Sequence, residues 1–268
     1  MSTDKRDQRR AAARAEREAT ERHAAAADAR RRRLLQLGSA LLAAAAIVAV
    51  VILVAGSGGG GDQSSAGATS TTGALSGEAE IADQLDGIPQ NGIALGKPDA
   101  PITVVEFGDL QCPACAAFSN GEMPKLVDQY IRPGKARMEF RSLTFIGDDS
   151  KRLALMSAAA SEQDKLFQFN ELVYANQGAE NSGYATDAYL RRIGGAIAGF
   201  DVDAALRARD GHAAAQQLVD TERLASINGV QSTPSFLVGR TGGEMKLVDA
   251  QELGVELESL AQATAPQT

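Results

Sequence analysis

The stretch at residues 106–115 reads EFGDLQCPAC and contains both cysteines of the 268-residue chain, Cys112 and Cys115, only three positions apart. The residues that lead into it, 101–107, are β-branched and apolar and are bounded by proline and glycine, which predicts a buried strand. Pro113 follows Cys112 directly, and proline is favoured at the first position of a helix, where its missing N–H is not needed. We therefore expect a strand, a short turn and a helix with Cys112 at its N-cap.

A thiol at the N-cap ionises more readily than a free thiol, because unpaired backbone N–H groups and the helix dipole favour negative charge there. Only the thiolate is a nucleophile. Cys115 lies one turn further along the predicted helix, within disulfide reach of Cys112, and we expect it to be the more buried of the two. The pattern predicts a redox dithiol in which Cys112 attacks and Cys115 resolves.

Two other interpretations of the cysteine pair are disfavoured. A structural disulfide that closes so short a loop removes little entropy from the unfolded chain, so it would stabilise the fold poorly. A zinc site needs four ligands. The chain offers only two cysteines, His23 and His212, and His23 is predicted to lie across a membrane from the rest. We therefore expect no metal site.

A second informative stretch, residues 229–239, reads GVQSTPSFLVG. Pro234 precedes a run that predicts a strand, and proline belongs at a strand start or edge because it cannot donate to the ladder. The bond between Thr233 and Pro234 is a candidate for the cis isomer.

With these motifs the chain resembles the thioredoxin fold and, within it, the DsbA-like thiol:disulfide oxidoreductases. The resemblance runs from about Ile88 to the C-terminus and includes GIALG at 92–96, the strand ending in Phe107, and the CPAC motif at 112–115. Residues from about 150 to 227 have helical apolar spacing, and an all-helical insertion into a thioredoxin core is the hallmark of that family. The fold class expected is α/β: a thioredoxin fold with an inserted helical subdomain, preceded by one transmembrane helix.

The resemblance implies roles for individual residues. Cys112 would be the attacking cysteine, and Cys115 would resolve the mixed disulfide. Pro234 would be a cis-proline that faces the disulfide, and Thr233 beside it would pair with an extended substrate peptide. Glu106 aligns with a buried acid that shuttles the proton of the resolving thiol, although strand alternation alone also allows it to be exposed.

Pro113 and Ala114, between the cysteines, are expected to contact substrate together with Thr233. Many strong oxidases of the family carry histidine in this position, where it stabilises the thiolate. Without that imidazole, the reduction potential is expected to be lower than that of a histidine-bearing relative.

The remaining sequence predicts how the domain is attached. Residues 34–56 carry no charge and would form about 34 Å of helix, enough to cross a hydrocarbon core of about 30 Å. Four arginines precede this segment, and no basic residue follows until Lys97, which places the N-terminus in the cytoplasm. The predicted organisation is a basic tail at 1–33, the transmembrane helix, a flexible linker at 57–80 and the redox domain at 81–268. A cleaved signal peptide is the alternative, but it has a shorter apolar core and a shorter basic lead.

The charge distribution argues against binding of nucleic acid by the folded domain. Residues 1–33 hold 11 Lys/Arg and 6 Asp/Glu, whereas the rest of the chain holds 16 and 28, so the arm carries +5 and the remainder −12. The chain also has no tryptophan, which argues against a stacking platform for bases.

The sequence predicts a membrane-anchored, extracytoplasmic, monomeric enzyme that introduces disulfides into secreted or envelope proteins. The resemblance implies reoxidation by a quinone-linked membrane partner. The dithiol itself is the redox centre, so no metal or organic cofactor is expected. Two alternatives remain open: a reductase or isomerase kept reduced by a membrane electron donor, and a non-catalytic tethered binding module.

Overall fold

A computed structural model describes residues 75–264 of the chain. Within this range no helix has the length and apolar composition that a membrane crossing requires. The segments predicted as basic tail and transmembrane helix, and most of the predicted linker, lie outside the described residues.

The strands of the described range form one sheet. They are β1 Gln90–Asn91, β2 Ala94–Leu95, β3 Ile102–Gly108, β4 Ala136–Ser142, β5 Ser235–Arg240 and β6 Met245–Val248. Their order across the sheet is β1-β2-β4-β3-β5-β6. β3 pairs parallel with β4 and antiparallel with β5. Every residue of β3 is buried, including Thr103 and Glu106, as expected for a central strand covered on both faces.

The helices are distributed around this sheet. They are α1 Glu78–Leu85, α2 Pro113–Gly121, α3 Met123–Leu126, α4 Asp148–Ser161, α5 Leu166–Ala175, α6 Asp187–Gly195, α7 Val202–Ala208, α8 His212–Ile227 and α9 Ala250–Thr264, with a π-helical turn Val127–Ile131 after α3. The five helices α4 to α8 lie between β4 and β5. The architecture confirms the predicted α/β thioredoxin-like fold with a helical insertion.

The folded domain starts earlier than the predicted boundary at residue 81. α1 already begins at Glu78, because acidic side chains are favoured in a first helical turn and Ile81 and Leu85 bury its apolar face. The backbone of Ser76 also exchanges two hydrogen bonds of 3.0 Å with the side chain of Asn176. Residues 76–80, assigned to the flexible linker on composition, are therefore attached to the domain.

Alternation along β3 divides the core between the two faces of the sheet. Val105 and Phe107 pack into a small cluster with residues of β5 and α8. Ile102 and Val104 pack into the main core, which contains both cysteines. Since successive strand residues point to opposite faces, Glu106 points to the face of Ile102 and Val104, toward the core that contains the cysteines.

Candidate active site

The cysteine motif lies where β3 leaves the sheet and α2 begins. Cys112 is the N-cap of α2, with extended backbone angles φ −71° and ψ 121°, and Pro113 occupies the first turn. The Cys112 N–H donates to the Asp109 carbonyl at 2.9 Å, which closes the turn between strand and helix. The predicted strand, turn and helix are thus present, and Cys112 lies at the predicted end of the helix.

Asp109 fixes this turn, and the sequence analysis did not single it out. Its carboxylate is completely buried and accepts hydrogen bonds from the N–H of Gln111 at 2.9 Å, the N–H of Ile146 at 3.1 Å and the hydroxyl of Ser150 at 2.7 Å. The bond to the N–H two residues ahead is an Asx turn, for which aspartate is a favoured residue. An aspartate three residues before the cysteine was therefore an available signal.

The two informative stretches of sequence meet at Cys112. Its thiol donates to the Thr233 carbonyl across 3.4 Å, between residues 121 positions apart. The Thr233–Pro234 peptide bond is cis. The structure therefore places Thr233, and with it the cis peptide bond to Pro234, beside Cys112.

The surroundings of Cys112 favour its thiolate. The pKa of the Cys112 thiol is lowered to about 5, mainly because the Cys115 thiol donates a hydrogen bond to it. Burial acts in the opposite direction, and smaller lowering contributions come from the Thr233 side chain and from the backbone N–H groups of Cys115 and Ala114. Such a thiol is almost fully ionised at neutral pH, the state that a nucleophile requires.

Cys115 has the opposite properties. It is completely buried, whereas Cys112 is 7% exposed. The pKa of the Cys115 thiol is raised far above its ordinary value, first by its hydrogen bond to Cys112, then by burial and by the charge of Glu106. Both residues are free thiols. The pair therefore combines an ionised outer sulfur with a protonated inner sulfur.

Glu106 is buried beneath this pair, with 4% of its surface exposed. This agrees with the buried placement expected from the resemblance, and not with an exposed strand position. The pKa of the Glu106 carboxyl is raised well above its usual range, first by burial and then by the charges of Glu171 and Cys112. Its Oε1 atom has no hydrogen-bond partner among the described residues. A carboxyl group whose protonated form is favoured suits a position below a sulfur that must gain and lose a proton.

The outer surface of the site is formed by residues of both stretches. Pro113 and Ala114 are exposed, and Thr233 and Pro234 are half-buried. Cys112 thus keeps a small exposed surface beside them, whereas Cys115 has none. Within residues 75–264, no three His, Cys, Asp or Glu side chains form a cluster suited to a metal ion.

The comparisons with known proteins agree with a thioredoxin-like fold. A thioredoxin family model matches residues 89–250. The chain is 39% identical over 102 residues to a probable disulfide bond formation protein D of Bacillus cereus, covering 37% of this chain and 47% of that protein. It is 28% identical over 167 residues to disulfide bond formation protein D of Bacillus subtilis, covering 62% of this chain and 72% of that protein.

Among solved structures, oxidised BdbD of Bacillus subtilis is similar with a TM-score of 0.57 and 25% identity. The similarity covers 65% of this chain and 97% of that one. The match to the Bacillus cereus relative, in contrast, spans only about half of that protein's length.

Proposed function

This chain belongs to the thioredoxin family, and from that premise we propose that it is a thiol:disulfide oxidoreductase whose redox centre is Cys112-Pro113-Ala114-Cys115. The observation that carries the proposal is the pKa of about 5 of a cysteine at a helix N-terminus, beside a buried partner thiol. The named relatives are disulfide bond formation proteins, which supports disulfide introduction as the direction of the reaction.

In this reaction the oxidised form contains a Cys112–Cys115 disulfide. A substrate thiolate attacks the sulfur of Cys112, so that a mixed disulfide forms and Cys115 leaves as a thiolate. The second thiolate of the substrate then attacks the substrate sulfur of the mixed disulfide and releases Cys112 as a thiolate. Two electrons pass from the substrate to the enzyme dithiol, and the substrate gains a disulfide.

The unequal acidity of the two sulfurs favours this direction. The low pKa of Cys112 makes it a good leaving group in the second step, because thiols of lower pKa leave faster. Cys115 leaves as a thiolate in a buried site and must be protonated there. Glu106 is the acid placed to supply that proton, because burial raises its pKa and favours its protonated form.

Substrate would bind across the exposed rim of the site. An extended peptide that adds a strand beside Thr233 would place its cysteine next to Cys112. Pro113 and Ala114 present small apolar surfaces to that peptide and impose no charge requirement, which suits an enzyme with many clients.

The setting of the enzyme is part of the proposal. The uncharged segment 34–56, with four arginines before it, supports a single-pass anchor with the redox domain outside the cytoplasm. Substrates would be secreted or envelope proteins, and a quinone-linked membrane protein would reoxidise the monomeric enzyme. The dithiol needs no metal or organic cofactor. Deletion of 34–56 should move the protein from the membrane fraction to the soluble fraction, and unchanged membrane association would contradict the anchor.

Trapping of clients tests the activity. A Cys115→Ala variant keeps the nucleophile but cannot resolve a mixed disulfide by itself, so it should accumulate disulfide-linked adducts with extracytoplasmic proteins that disappear on reduction. The matched control, Cys112→Ala with Cys115 intact, should trap nothing. Equal trapping by both variants, or by neither, would refute the assignment. A non-catalytic binding module would retain its function in Cys112→Ser.

A reductase or isomerase is the second candidate, because no histidine lies between the cysteines to stabilise the thiolate further. The reduction potential of the Cys112–Cys115 couple separates the two directions. A value near that of thioredoxin, about −270 mV, would count against the oxidase.

A further inference from the structure

A second carboxyl is buried close to the dithiol, and the reaction described above does not use it. Glu171 lies on α5, and only 7% of its surface is exposed. Its Oε2 atom accepts a hydrogen bond of 2.5 Å from the hydroxyl of Ser119, which is itself buried. Ionisable side chains are rarely buried without a partner that compensates the lost hydration.

The position of Ser119 connects Glu171 to the redox centre. Ser119 follows Cys115 by four residues on α2, so the two side chains lie on the same face of the helix, one turn apart. That face packs against α5, and Glu106 points to the same region from β3. The structure thus gathers two carboxyls and the resolving sulfur in one buried region.

Two carboxylates in such a volume interact strongly, since an ionised neighbour makes a second ionisation unfavourable. After burial, the charge of Glu171 makes the largest contribution to the raised pKa of Glu106. Burial raises the pKa of Glu171 to about 7, and the hydrogen bond from Ser119 opposes that rise. The charge of Glu171 therefore changes near neutral pH, whereas burial and the charge of Glu171 both favour the protonated form of Glu106.

Other titratable groups face the same volume. Tyr174 lies one turn after Glu171 on α5, and its pKa is raised well above the usual range by burial and by the charges of Cys115, Glu106, Glu171 and Asp109. It stays neutral at neutral pH. Asp109 is fixed by its own three hydrogen bonds. Glu171 is the group here whose charge varies near neutral pH.

We propose that Glu171, held by Ser119, forms a coupled acid pair with Glu106 and controls proton exchange between Glu106 and Cys115. This inference rests on the proposed function. Glu171 touches neither substrate nor the reacting sulfurs and is a positioning residue that acts through Glu106.

The proton balance defines the effect. When the disulfide opens, Cys115 leaves as a thiolate and takes the proton of the Glu106 carboxylic acid, which becomes a carboxylate. Forming the Glu106 carboxylate costs less free energy when Glu171 is protonated than when Glu171 is ionised. Proton donation to Cys115 is therefore faster below the pKa of Glu171. In the reverse direction, ionised Glu171 makes Glu106 a stronger base for removing the proton from Cys115.

The test is the pH profile for opening of the disulfide in the full-length protein by a small thiol, with the rate corrected for the thiolate fraction of that thiol. Wild type should be faster on the acid side, with an inflection near pH 7.

Glu171→Gln should lose the inflection and keep the fast rate at high pH. Ser119→Ala removes the donor that stabilises the carboxylate, so its inflection should move to higher pH. Glu171→Asp should retain an inflection, and Glu162→Gln, an exposed control, should match wild type.

A double variant distinguishes coupling from a purely structural effect. In a Glu106→Gln background, Glu171→Gln should leave the profile unchanged. The inference would be overturned if the inflection persists in Glu171→Gln and stays at the same pH in Ser119→Ala. If Glu171→Gln does not fold, the result for Ser119→Ala decides. Failure of wild type to exchange disulfides with a dithiol peptide would instead overturn the proposed function.

Discussion

At the scale of single residues, the account depends on the unequal acidity of two cysteines three positions apart. The sequence was sufficient to predict which sulfur is the outer one, since an N-cap followed by proline is a local signal. It was not sufficient to identify Glu171. The role of Glu171 depends on the packing of α5 against α2, which is far away in sequence, and a glutamate within an amphipathic helix has no local mark that distinguishes a buried acid from a solvated one.

Removal of the Thr233 hydroxyl should raise the pKa of Cys112 by a small amount. Thr233→Val keeps the shape of the side chain and removes one of the groups that stabilise the thiolate. Cys115→Ala removes the largest stabilising contribution and should raise the pKa further. Titration of the ultraviolet thiolate absorbance of the reduced variants measures both shifts, and a larger effect of Thr233→Val than of Cys115→Ala would contradict this ranking.

At the scale of elements, the sequence predicted the central strand, the helix after it and the helical insertion. The strand is marked by apolar, β-branched residues, and the helices are marked by apolar residues at helical spacing. It did not predict β1 and β2, which are two residues each and are formed by pairing with each other and with β4. The start of α1 was also missed, because its surroundings resemble a linker in composition. Short elements are set by tertiary contacts, which local propensity does not encode.

Gly108 at the end of β3 should be intolerant of a side chain. A Cβ atom there would lie 2.8 Å from the ring of Phe140 and 2.8 Å from the hydroxyl of Tyr174. Gly108→Ala should therefore destabilise the protein by about 1–3 kcal/mol, the usual cost of overpacking a core. Urea unfolding of the reduced protein measures the change.

Gly121 provides the matched control. It ends α2, and a Cβ atom there has no atom within 4 Å. Gly121→Ala should leave stability unchanged or raise it by up to about 1 kcal/mol, because alanine is the better helix former. Equal destabilisation by both substitutions would show that the contacts at Gly108 are not the cause.

At the scale of the whole molecule, the acidity of Cys112 links redox state, stability and pH. Its folded pKa of about 5 lies below the value of about 8.5 for an unfolded thiol. A lowered pKa contributes stability that is fully present above the unfolded value and is lost as pH falls through the folded value. The disulfide form has no thiol to ionise, so this contribution belongs to the reduced form alone.

The stability of the reduced form relative to the oxidised form should therefore decrease as pH falls from about 9 to about 5. Thermal unfolding of both forms across this range measures the difference. In Cys112→Ala the reduced protein should lose this pH dependence. A constant difference between the two wild-type forms would mean that Cys112 is not a stabilised thiolate.

The most direct test of the central claim is the pH dependence of alkylation of the reduced protein, with each cysteine quantified separately by mass spectrometry. The account predicts that Cys112 reacts with a midpoint near pH 5 and that Cys115 stays protected throughout the neutral range. If both cysteines instead react with a midpoint near about 8.5, as ordinary thiols do, the assignment of a nucleophilic thiolate at the start of α2 is wrong.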